Sequence, residues 1–143
     1  MKAIFILTAG LIVLAGCRKD KDEAPPAKKT NTQLLTQKQW ILSAAGFDDN
    51  KNGNVDETEN TLTECQRDNI YTFNANGTGN ISDNILVCNE HVNATFSWKL
   101  LNNDQEIEIN SQPYVILHIT EDNLLMAYRV PWLTVDFLVG YHH

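Results

Sequence analysis

Between His91 and Leu100 the chain reads HVNATFSWKL. Val92, Ala94, Phe96, Trp98 and Leu100 fall on one side of an extended backbone, and His91, Asn93, Thr95, Ser97 and Lys99 on the other. A period of two over this length predicts a strand with one dry face and one wet face. Shorter runs predict neighbours for it: Trp40 to Phe47, Ile70 to Phe73, Thr78 to Ser82, Glu106 to Asn110, Pro113 to Thr120, Leu124 to Val130 and Thr134 to Tyr141. On the last of these, Val135, Phe137, Val139 and Tyr141 share a face. The links agree with the runs. Asn74-Ala75-Asn76-Gly77 carries the Asn-Gly signal of a hairpin, Asn102-Asn103-Asp104 and Glu121-Asp122-Asn123 are turns, and Pro131 interrupts a ladder because it has no amide hydrogen to donate. Thr32 to Gln39 predicts one or two helical turns resting on Leu34 and Leu35.

No helix long enough for a parallel crossover lies between these strands, so an antiparallel order is expected. Eight strands in one sheet must hide two edges, and closure does that. The expected fold is all-β: an eight-stranded antiparallel up-and-down barrel, or a strongly curved meander, after a short N-terminal helical turn. Its interior is nearly filled by side chains or holds one small ligand.

The first residues carry an address rather than a fold. Met1-Lys2 is a short positive start, and Ala3 to Leu14 is an apolar run too short to span a bilayer comfortably. Residues 1–16 are therefore read as a signal peptide, 17–31 as a flexible tether containing Pro25-Pro26, and 32–143 as one domain. Leu14-Ala15-Gly16-Cys17 resembles a bacterial lipobox, which implies acylation of Cys17 and anchorage to a membrane, each buried methylene contributing about 0.8 kcal/mol. Arg18 is not the Asp that marks inner-membrane retention, so the outer membrane is expected. Lys19-Asp20-Lys21-Asp22-Glu23 resembles a tag for export to the cell surface. Cys65 and Cys88 remain as an even pair in an oxidising compartment and are expected to form a disulfide contributing roughly 3 kcal/mol. The formal charge of −7 and the absence of a basic patch argue against a nucleic-acid partner.

Leu34-Leu35 before Trp40, Cys65 and Asp68, Tyr71-Thr72-Phe73-Asn74 with Asn76-Gly77-Thr78, Cys88, Phe96-Ser97-Trp98 and Ile107-Glu108-Ile109 follow one another in an order that resembles the lipocalin-like domain of bacterial lipoproteins, over about residues 34 to 130. The resemblance implies a barrel-like up-and-down sheet and a small apolar or amphipathic ligand; it does not imply an enzyme, and none is expected. Trp40, Phe73, Phe96, Trp98, Tyr114 and Phe137 are read first as barrel core. In a barrel of this kind the same residues can line a pocket.

Asp48 to Glu59 reads D-D-N-K-N-G-N-V-D-E-T-E and matches the calcium-loop pattern. Asp48, Asn50 and Asn52 would supply oxygens at the first, third and fifth positions, Asn54 its backbone carbonyl at the seventh, Asp56 the ninth and Glu59 a bidentate twelfth, around a turn at Gly53. No amphipathic helices flank the loop, so a groove-opening sensor is not expected. A loop-ordering site is, and with three carboxylates it would bind calcium on the order of 0.1–1 mM.

Other candidates carry little chemistry. His91 and His118 are read as structural, and Glu106 and Glu108 share a strand face with no acidic partner placed opposite. No nucleophile elbow, HExxH, P-loop or dinucleotide fingerprint is present. Two functions remain: a ligand-binding barrel, or a surface barrel that docks a protein or glycan, with Pro131-Trp132-Leu133 as its exposed patch.

Overall fold

The computed structural model describes residues 27–143. The segment read as a signal peptide, Cys17 and the expected tether as far as Pro26 lie outside the described residues. The elements are α1 (Asn31–Thr36), β1 (Trp40–Phe47), β2 (Ile70–Phe73), β3 (Thr78–Ser82), β4 (Asn93–Leu101), β5 (Glu106–Ile109), β6 (Gln112–Ile119), β7 (Asn123–Arg129) and β8 (Asp136–His142). Each strand pairs antiparallel with the next, and β8 returns to β1, closing the barrel. The expected architecture is therefore the observed one, in its closed form.

At the starts of β4 and α1, which differ from the sequence reading, side-chain hydrogen bonds account for the shift. The ladder of β4 begins at Asn93 rather than His91, because the Asp83 carboxylate accepts from the Val92 amide at 2.8 Å and from His91 Nδ1 at 3.1 Å. The helix starts one residue early because Thr30 caps it and Gln33 closes a capping box, and it stops at Thr36. The β5–β6 link is a two-residue hairpin turn, with Asn110 and Ser111 both at positive φ.

Alternation places Phe96 and Trp98 in the core, but two irregularities interrupt the period of two elsewhere. In β1 the register slips between Leu42 and Ala44, so Leu42 and Ala45 both face inward. In β6 it slips between Ile116 and His118. Ile116 and Ile119 pack on the core, and His118 is left exposed on the outer face.

The two ends of the barrel differ. At the end where β1 begins, α1 buries Leu34 and Leu35, and Leu35 packs into a floor made with Trp40, Phe73, Ile107 and Leu124. Asn31 Nδ2 donates to the Asp104 carbonyl at 2.8 Å, and Lys29 pairs with Glu121 at 2.9 Å, holding the helix there. The Lys29 hydrogen bond and charge hold the Glu121 carboxyl below its ordinary value. The other end, the mouth, carries the long β1–β2 and β3–β4 links. The expected Cys65–Cys88 disulfide joins them, with Cα atoms 5.3 Å apart. Asp68 reinforces the junction by accepting from the Ile85 and Leu86 amides at 2.9 and 2.8 Å.

Candidate functional site

A cavity of about 290 Å³ lies inside the barrel. All eight strands line it: Leu42 and Ala45 from β1, Tyr71 from β2, Ile81 from β3, Phe96 from β4, Ile109 from β5, Tyr114 from β6, Met126 from β7, and Val139 and Tyr141 from β8. Asn110, exposed in the β5–β6 turn at the mouth, completes the lining. The floor is shut by the buried residues under α1, so the cavity is approached from the mouth.

The six aromatic positions anticipated for a pocket divide by height along the barrel. Phe96 and Tyr114 line the cavity. Trp40 and Phe73 are fully buried in the floor, and Trp98 beside them is 7% exposed. The Trp40 indole donates to the Leu35 carbonyl at 3.0 Å, and the Trp98 indole to the Thr78 and Asn74 carbonyls at 3.0 and 3.1 Å. Phe73 meets Phe96 and Trp98 edge-on, with ring centroids 5.1 and 5.6 Å away. Phe137 meets Phe47 edge-on at 5.1 Å at the start of β8, at the rim rather than in the wall. These four are core and rim because a face assignment says nothing about depth.

Tyr71 and Tyr141 were not among the anticipated pocket residues, although Tyr141 had been placed on one face with Val139. Their rings meet edge-on at 5.0 Å. Burial pushes the Tyr141 hydroxyl well above its ordinary value, helped by repulsion from Tyr71 and Tyr114. Burial raises Tyr71 too, with a smaller contribution from Tyr114, and burial followed by Tyr128 raises Tyr114. All three are phenols, not phenolates, at neutral pH.

Residues 37–126 match the lipocalin-like domain, well over half of the chain. The chain belongs to the lipocalin-like domain family. No curated protein matches the chain. In this lipocalin-like barrel the matched residues run from just before β1 into β7, and β8 completes the ring.

The loop after β1 is the second candidate. Thr61 donates its amide to the Ala45 carbonyl at 2.8 Å, so the end of the loop runs beside β1. A Cβ on Gly46 would collide with the Glu59 carbonyl, and Val55 packs over the same spot. Inside the loop the Asp48 carboxylate, 8% exposed, accepts from the amides of Asn52 and Gly53, both at 2.9 Å. Glu59 accepts from the amides of Asp49 and Asp56, each at 3.0 Å, and of Asn50 at 3.3 Å. Asp56 accepts from the side-chain amides of Asn50 and Asn52 at 2.7 and 3.1 Å. Asn54 gives its amide to the Asn52 side-chain oxygen at 2.8 Å. The positions anticipated for calcium therefore gather in one compact turn. Among the described residues no group of three or more His, Cys, Asp or Glu side chains is arranged to hold a metal ion.

Two of the remaining ionisable candidates have structural partners. His91 pairs with Asp83, and Glu108 pairs across strands with Lys99 at 2.8 Å.

Proposed function

We propose that this protein is a membrane-anchored carrier whose barrel holds one small apolar or amphipathic molecule. The observation that carries the reading is the interior cavity, walled by every strand, shut at one end and lined mainly by hydrocarbon, aromatic and thioether groups, with three phenols and Asn110 as its polar side chains. Its volume of about 290 Å³ lies just below the range typical of small-molecule sites, about 300–1,000 Å³, and suits a ligand smaller than a drug-sized one. The lining carries no carboxylate, imidazole, thiol or amine, which favours binding over catalysis. Calorimetric titration of the full-length protein with a medium-chain apolar probe such as octane or methyl octanoate tests it. Saturable one-to-one binding is expected, and no binding of either probe would overturn the reading.

The anchor at Cys17 and an outer-membrane address, with exposure at the cell surface, belong to the same proposal. They are supported by the apolar run before Leu14-Ala15-Gly16-Cys17 and by a disulfide, which an oxidising compartment permits. Mass measurement of the protein from its membrane would read acylation at Cys17 directly. Calcium ordering of the Asp48–Glu59 loop is also proposed, on the donor series Asp48, Asn50, Asn52, Asn54, Asp56 and Glu59. Calcium up to about 10 mM should release heat and raise the melting temperature, on the affinity expected of an extracellular site. Asp48→Asn should abolish both effects, and their absence in the wild type refutes the site.

A second reading, a surface barrel that docks a protein or glycan, is favoured by the mouth: Ile85 is 83% and Trp132 80% exposed there. It predicts a partner lost on Trp132→Ser with octane binding kept.

A further inference from the structure

We propose that Tyr71, Tyr114 and Tyr141 form a hydrogen-bond donor site inside the barrel for one uncharged acceptor, the carbonyl of an ester, amide or ketone on an otherwise apolar ligand. The inference rests on the cavity-binding reading and adds the chemical class of what enters. Three strands, β2, β6 and β8, bring these phenols to one cavity. The Tyr71 and Tyr141 rings touch edge-on at 5.0 Å, and the charge of either Tyr71 or Tyr114 would be felt at the Tyr141 hydroxyl.

Burial raises all three phenols, and among the described residues none of the three hydroxyls makes a hydrogen bond within the protein. A polar group in an apolar wall costs stability unless it finds a partner, so phenols facing a common space are poised to donate to whatever occupies it. Nothing else in the lining competes for that role except Asn110 at the mouth, since the other residues are hydrocarbon, aromatic ring or thioether.

The sign of the ligand follows from the same wall. No Lys, Arg or His lines the cavity. A carboxylate brought there would lose its hydration with no cation to replace it, a cost that hydrogen bonds from neutral phenols offset only in part. A neutral carbonyl loses far less on entering, and accepts from one or two phenols. Leu42, Ile81, Phe96, Ile109, Met126 and Val139 are left to meet an alkyl or ring portion.

The test titrates the full-length protein at pH 7 with methyl octanoate, octanoate and octane, in the wild type and in Tyr71→Phe, Tyr114→Phe and Tyr141→Phe. The ester should bind at least about tenfold more tightly than the carboxylate. Each removal of a donor that the ester uses should weaken the ester about twofold to tenfold and leave octane unchanged, the range of one net hydrogen bond. In the wild type, the stretch of the carbonyl-labelled ester should move to lower frequency on binding, a readout that needs no variant to fold. Octane bound with the ester no tighter, octanoate bound as tightly as the ester, equal losses for ester and octane, or an unshifted carbonyl band would each overturn the donor site while leaving the cavity reading in place. Failure of all three probes to bind would remove both.

Discussion

Filling the cavity separates a hollow barrel from a packed one by the sign of a stability change. Ala45 lines the cavity from β1 opposite Val139, and its side chain points inward because of the slip at Ser43. Ala45→Leu adds three carbons to a space of about 290 Å³. At roughly 0.8 kcal/mol for each apolar carbon removed from water, the substitution stabilises by up to about 2 kcal/mol, less the rotamer freedom the new side chain loses. In a filled interior the same change would force neighbours off their rotamers and cost about 1–3 kcal/mol. Urea unfolding followed by far-ultraviolet circular dichroism measures the difference at an unchanged m-value. The stabilised variant should also bind octane at least about tenfold more weakly, since it occupies the ligand's space. Destabilisation by about 1 kcal/mol or more, with octane binding untouched, would refute the hollow interior.

Three further outcomes follow from the same geometry. Cys65→Ser with Cys88→Ser opens a link of 23 residues and should cost roughly 3 kcal/mol in denaturant titration, with little effect on octane affinity because the bridge lies outside the cavity wall. Leu35→Ala removes a fully buried side chain from under the floor and should cost about 2–5 kcal/mol, a loss that a merely peripheral helix would not show. Tyr71, Tyr114 and Tyr141 are all raised above 10.0 in the folded state, so the unfolded chain gives up protons first as pH rises. Their contribution is complete below pH 10 and is lost above it, so melting temperature should fall on the alkaline side, and the fall should be shallower in Tyr141→Phe.

Strand number, order and the Asn-Gly hairpin were legible because alternation and turn chemistry are local. The disulfide was legible by elimination, two cysteines being left once Cys17 is read as the lipid anchor. Depth was not legible. Trp40, Phe73 and Trp98 have the same inward parity as Tyr71, Phe96 and Tyr141, and only the stagger of the closed barrel sends the first group to the floor. The slips after Leu42 and Ile116 were equally hidden. Strict alternation from Leu42 turns Ala44 and Gly46 inward, whereas Ala45 enters the cavity and Gly46 gives room to the Glu59 carbonyl. The loop signal in Asp48–Glu59 was clear as a pattern of residue types. Its close approach to β1 at Gly46 depends on a long-range contact that no local spacing encodes.

Met126 offers the most direct look inside. It is one of two methionines, the other being Met1, and its buried side chain lines the cavity. With the methionine methyl carbons labelled, a carbon–proton spectrum of the full-length protein should show the Met126 signal moving on addition of octane, saturating at one equivalent. A Met126 signal that stays in place while octane binds elsewhere would contradict a ligand held within the barrel.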